Sequence, residues 1–276
     1  MFNLTLLRRK FNTLRTMLKY DGVLNSWAIV RERLPGFNWI QHRRIRKTVS
    51  KSLIRDQRLN DVHQTLTKKV SYVYGMAVEG DIAEFGTAGG FTAVALATAV
   101  GFENSHFRND PRRGKWIHYF DSFIGLPEAR SDVDKNSHHF KTGVWAQGGC
   151  RVLSETQLTS VINKILPLDV FSIHSGWFKD TVSSLPDGIK FSLIHIDGDL
   201  YESCIDVLDP IFERGMLSSG AVILFDDYDC NRADNDFGER RAWREMVEKY
   251  KINFSDGGSY GIACHWFLVH SYVYQS

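Results

Sequence analysis

The most constraining stretch of the 276-residue chain is Ser192-Leu193-Ile194-His195-Ile196-Asp197-Gly198-Asp199-Leu200-Tyr201-Glu202-Ser203. An apolar, strand-forming run stops at two acids around a glycine, and amphipathic helical spacing starts at Tyr201. The arrangement returns further on, where Ala221-Val222-Ile223-Leu224-Phe225 runs into Asp226-Asp227. Unbroken apolar runs of this length fit strands covered on both faces, as in a parallel sheet. Two such strands ending in carboxylates put the acids at one edge of one sheet, where open α/β folds place their ligands.

The chain around this pair reads the same way. Ile82-Ala83-Glu84-Phe85 is a short strand, Gly86-Thr87-Ala88-Gly89-Gly90 a glycine turn, and 91–100 a helix of small apolar residues. Further strands are expected at 116–120 and 170–174, with helices at 158–165, 201–214 and 238–250. Residues 125–150 form a polar excursion without periodicity, and 252–274 reads as a terminal hairpin around Gly257-Gly258. This alternation predicts an α/β fold: a mostly parallel, doubly wound sheet with helices on both faces. Residues 1–75 lack strand patterns. Helical spacing at 5–19 and 60–78, broken at Pro35-Gly36, predicts a helical N-terminal extension ahead of an α/β domain over 76–276.

Charge distinguishes the two parts. Residues 1–58 carry fourteen Lys and Arg against three acids, a net of +11 in a chain whose total is +2. A basic arm on an acidic body fits a membrane surface, a phosphate-bearing substrate or the body of a second subunit, or it is simply a solvated helical face. Peripheral membrane contact through 1–58 and homo-oligomerisation are therefore expectations; nucleic acid is not among the expected partners. Cys150, Cys204, Cys230 and Cys264 are scattered, which fits free thiols in a reducing compartment. No apolar run reaches the length of a membrane span and no signal peptide is legible, so a cytoplasmic location is expected.

The strand ends carry the chemistry. The glycine turn has neither the spacing of a dinucleotide fingerprint nor the Gly-Lys-Ser/Thr ending of a P-loop. Glu84 before it would repel a pyrophosphate and attract an ammonium. Asp121, ending the second strand, stands where an acid meets ribose hydroxyls; alone it reads as a helix cap.

Five motifs in fixed order then resemble a known family. They are Glu84 to Gly90, His118-Tyr119-Phe120-Asp121-Ser122-Phe123-Ile124-Gly125-Leu126-Pro127, Gly176 to Thr181, His195 to Ser203, and Asp226-Asp227-Tyr228. Together, over residues 79–265, they resemble the macrocin O-methyltransferase family of metal-dependent sugar O-methyltransferases. The Asp-Gly-Asp-Leu-Tyr-Glu-Ser run is the most specific part. The resemblance implies a class I methyltransferase fold and S-adenosylmethionine as cofactor. It implies that Glu84, Gly86 and Thr87 hold the amino-acid end, that Asp121 and Ser122 hold the ribose, and that Trp177 or Phe178 flanks the adenine. It places a metal on Asp197, Asp226 and Asp227 and a sugar or glycoside, phosphate-bearing or lipid-linked among the options, as acceptor.

The residue chemistry agrees. A hard dication such as Mg²⁺ takes oxygen ligands in octahedral geometry and lowers the pKa of a bound hydroxyl. Clustered acids without a cation would repel one another. Candidate bases are His138 and His139 in the excursion, or Asp197 or Asp199; an exposed histidine pair and helix-capping acids are the bland alternatives. Competing functions are a metal-dependent phosphoesterase, since Asp clusters also serve two-metal hydrolysis, and a membrane-docked, non-catalytic binding module.

Overall fold

A computed structural model describes residues 57–274, so the helix expected at 5–19, the Pro35-Gly36 break and the basic arm lie outside the described residues. In chain order the elements are α1 (Gln57–Gly75), β1 (Asp81–Phe85), α2 (Phe91–His106), β2 (Ile117–Asp121), α3 (Asp132–Asn136), α4 (His138–Lys141), α5 (Glu155–Ile162), β3 (Phe171–Ser175), α6 (Phe178–Ser183), β4 (Phe191–Ile196), α7 (Tyr201–Glu213), β5 (Leu217–Phe225), α8 (Gly238–Tyr250), β6 (Asn253–Tyr260) and β7 (Cys264–Ser271).

The strands form one seven-stranded sheet in the order β3-β2-β1-β4-β5-β7-β6. β1 to β5 pair in parallel, and β7 runs antiparallel to both neighbours. This is the α/β architecture that the strand–helix alternation predicts. All six residues of β4 are buried, as befits a central strand covered on both faces. Strand alternation sorts the core into two layers. Ala83, Phe85, Ile194, Ile196, Ile223 and Phe225 face α7 and α8. Ile82, Leu193, Val222 and Leu224 face α1, α2 and α5. Each fully buried Leu, Ile, Val or Phe contributes roughly 1.5–3 kcal/mol.

Helix α1 supplies Leu66, Val70 and Val73 to the second layer. Asp61 to Ser276 accordingly forms one compact unit, so the helix ahead of residue 76 packs with the sheet. The terminal hairpin is present, but its turn is at residues 261–263 and not at Gly257-Gly258. Those glycines sit at an irregularity inside β6. Gly257 is required there because a Cβ would overlap the indole of Trp266 on β7.

The strand order reverses between β1 and β4, the switch point at which ligands bind in such sheets. Backbone hydrogen bonds fix the strand ends there: Gly86 N–H to Phe120 O at 2.8 Å, Asp197 N–H to Phe85 O at 2.8 Å, and Asp226 N–H to Ile196 O at 2.9 Å. Consecutive strand ends therefore arrive side by side.

Candidate active site

A cavity of about 520 Å³ opens at this edge, with Gly86, Asp121, Trp177, Asp197, Asp199 and Asp227 among its walls. One wall is made by the ends of β1, β2 and β3. Gly86 has φ +92°, and a Cβ there would overlap the carbonyl oxygen of Asp197, so only glycine lets the two strand ends touch. Asp121 pins the glycine turn: its Oδ2 accepts from Thr87 N–H (2.8 Å), the Thr87 hydroxyl (2.8 Å) and Ala88 N–H (3.3 Å). Its Oδ1 accepts Phe123 N–H at 2.7 Å, one donor on an oxygen that can accept two, and Asp121 lines the cavity. Ser122 also lines the cavity, with its hydroxyl donating to Gly125 O at 2.9 Å.

Trp177 and Phe178 both reach the cavity. Phe178 is also a core residue, edge-on to Phe85 at 5.8 Å. Glu84 and Thr87 are buried and stand behind the wall. The Thr87 side chain is spent on Asp121, and Glu84 faces His195.

The other wall is made by the ends of β4 and β5. Asp197, Asp199 and Asp227 each present an oxygen here, all within 4.8 Å of one another. Asp226 lines the cavity too but differs from the sequence-based trio. Its Oδ1 lies 3.8 Å from His195 Nε2 and accepts from the Cys264 thiol at 3.4 Å. Asp226 and Asp227 lie just past the end of β5 and take different partners: Asp226 meets His195 and Cys264, and Asp227 joins Asp197 and Asp199. Asp199 takes the third place because its backbone is left-handed, φ +59°.

Burial and mutual repulsion push the Asp197 and Asp227 carboxyls well above the usual carboxylate range. Burial raises Asp199 to about 6, against hydrogen bonds with Asp227 and Cys150. Among the described residues no Lys or Arg comes within ion-pair distance of these three. Three converging, poorly hydrated oxygens without a counter-charge fit a hard dication.

Two residues behind this wall escape motif reading. His195 is fully buried, 3.3 Å from Glu84 Oε1. Burial opposes its charge, but the carboxylates of Asp226 and Glu84 outweigh that and raise it to about 9. Burial likewise opposes the charge of Asp226, yet His195 and Cys264 hold it below the usual range. Glu239, the second residue of α8, is also buried. It accepts Asp227 N–H at 3.0 Å through Oε2, and its Oε1 has no protein partner. The available signals were a histidine inside an otherwise apolar strand and an acid in the first turn of a helix.

The excursion is partly ordered as α3 and α4. His139 stacks on Trp145 at 4.6 Å, and its Nδ1 accepts Asn231 N–H at 2.9 Å. Asn231 Oδ1 lies 3.0 Å from the same Nδ1 and accepts the His139 backbone N–H at 2.9 Å, so Asn231 occupies that side of the ring and leaves Nε2. His138 instead lies 3.7 Å from Asp234 and packs against Phe237.

Known proteins are similar to this chain in sequence and fold. The macrocin-O-methyltransferase (TylF) family profile matches residues 19–253. The 8-demethyl-8-(2,3-dimethoxy-alpha-L-rhamnosyl)-tetracenomycin-C 4'-O-methyltransferase of Streptomyces olivaceus is 29% identical over 248 residues, 88% of this chain and 77% of that protein. Demethyldecarbamoylnovobiocin O-methyltransferase of Streptomyces niveus is 28% identical over 208 residues, 75% of this chain and 73% of that protein. Among solved structures, the O-methyltransferase NovP superposes with a TM-score of 0.58 at 23% identity, over 76% of this chain and 79% of that one. The calicheamicin methyltransferase CalS11 superposes with a TM-score of 0.57 at 20% identity, over 97% and 94%. The sheet is thus that of the class I methyltransferases, and the chain belongs to the macrocin-O-methyltransferase family.

Proposed function

We propose that the protein transfers the methyl group of S-adenosylmethionine to a hydroxyl of a sugar in a glycoside, aided by a divalent cation such as Mg²⁺. The observation that carries this is the meeting, in one cavity, of the Gly86 turn and Asp121 with the Asp197, Asp199 and Asp227 oxygens. Both Streptomyces relatives are named as O-methyltransferases, one of them for a rhamnosyl substituent, and that supports a glycoside acceptor.

The Gly86 turn forms the wall for the cofactor's amino-acid end, Asp121 Oδ1 has capacity to accept from the ribose, and Trp177 offers an apolar flank for the adenine. Asp197, Asp199 and Asp227 hold the cation. When bound, that cation makes a sugar hydroxyl more acidic and orients it. The second oxygen of Asp199 is the candidate to take the hydroxyl proton. His139 Nδ1 is engaged with Asn231, so Nε2 is the ring nitrogen left to serve as donor or base. His195 keeps Asp226 and Glu84 compensated behind the site.

Titration calorimetry with S-adenosylmethionine tests the reading. Binding by the folded protein in the presence of Mg²⁺ is expected, and absence of heat would sink it. Asp197→Asn should still bind the cofactor while losing its response to Mg²⁺.

A further inference from the structure

Two acids exchanged across the cavity's outer wall have no part in the chemistry above. Asp134 sits in α3, 1% exposed. Its carboxylate accepts Tyr201 N–H at 2.8 Å and Glu202 N–H at 3.1 Å, the first two residues of α7. The residue before α7 is Leu200, which has no side chain able to cap it. In return, Glu202 Oε2 accepts Arg130 N–H at 2.8 Å and Ser131 N–H at 2.9 Å, where the chain enters α3. Its Oε1 lies 3.7 Å from Arg130 Nε. The Ser131 hydroxyl donates to Asp134 Oδ2 at 3.1 Å and closes the set.

Each segment thus supplies the acceptor that the other's orphan N–H groups need. The consequence lies at the two ends of the clamp. α7 starts two residues after Asp199, whose left-handed backbone turns its carboxylate into the acid trio. The chain just before Ser131 supplies Leu126, Pro127, Glu128 and Arg130 to the cavity wall.

We propose that Asp134 and Glu202 are positioning residues that lock the 126–136 segment and the Asp197–Asp199 turn into one unit, fixing the acid oxygens and the cavity wall before Ser131 relative to each other. This rests on the methyltransferase reading only for its catalytic consequence; the mechanical coupling stands by itself.

Hydrogen exchange on the full-length protein tests the coupling. Asp134→Ala should speed exchange in its own segment and also in the first turn of α7. Glu202→Ala should speed exchange in its own turn and also at residues 126–141. Asp134→Asn and Glu202→Gln keep an acceptor oxygen and should retain most of the protection, which covers the case of an alanine variant that fails to fold.

The positioning role is read with Mn²⁺ as a spin probe in the presence of S-adenosylhomocysteine. Each alanine variant should bind Mn²⁺ about tenfold more weakly, and the double variant no more weakly than either single. Cofactor affinity should stay unchanged. The proposal is overturned if each substitution loosens only its own segment, or if Mn²⁺ affinity stays at the wild-type value. A wild-type protein that binds neither Mn²⁺ nor cofactor would remove the functional reading, while the exchange data would still decide the clamp.

Discussion

The two walls of the cavity are built by opposite means. At the ends of β1 and β2, Asp121 is occupied by four protein hydrogen-bond donors, and the glycine turn is held before any ligand arrives. At the ends of β4 and β5, three carboxylates converge without a cation to offset them, and Glu239 adds a buried acid behind Asp227. The first wall stabilises the fold and the second costs it stability. That is the expected division where one side receives a ligand by fit and the other by charge.

Asp197→Asn probes the costly wall and should have the largest effect. Methyl transfer should fall on the order of 10³-fold, about 4 kcal/mol, with cofactor affinity unchanged. The same substitution should raise the unfolding temperature of the metal-free protein, because it relieves repulsion from Asp199 and Asp227. A fall would break the comparison. Next, His195→Asn should destabilise the fold by about 3 kcal/mol in urea titrations, since Glu84 and Asp226 would be left buried without their cation; a smaller loss than from Asp121→Ala would reverse this order.

Asp121→Ala probes the self-sufficient wall. It frees the Thr87 and Phe123 N–H groups and should weaken S-adenosylmethionine binding by about 1–2 kcal/mol in calorimetry. The unfolding temperature should fall, opposite in sign to Asp197→Asn.

The smallest effect concerns pH. Burial lowers His174, on β3 beside β2, to about 4, helped by the neighbouring His118. Between about 6.5 and 4 the unfolded chain binds a proton that the folded ring refuses, so stability falls as pH falls through that window. His174 is partly solvated, so the loss is about 1 kcal/mol. Chemical denaturation across this range should show the loss shrink in His174→Gln. The acid wall runs the other way: with Asp197 and Asp227 raised, acidification relieves their repulsion.

Legibility in the sequence followed the same divide. The parallel strands could be read because their apolar runs leave only one way to be buried, and their ends gave the edge of the sheet. The terminal hairpin was readable but its turn was not. Gly257 looks like a turn glycine, yet it is needed for the Trp266 ring across the strand. Asp226 and Asp227 are adjacent letters that point apart, and no spacing rule reveals that His195 takes the first. Asp199 joins the trio only through a left-handed residue, which propensity disfavours outside glycine. The clamp between Asp134 and Glu202 joins residues 68 positions apart and could not be read from a single sequence.

The bare approach of Gly86 to the Asp197 carbonyl has a consequence for recombination. The seam between β1 and β4 is backbone against backbone at residue 86, and two residues earlier it is one side-chain pair, Glu84 against His195, that two parents would have to share. Chimeras that splice the first half of this protein to the second half of a relative should assemble, provided residue 86 stays glycine and the Glu84–His195 pair is kept.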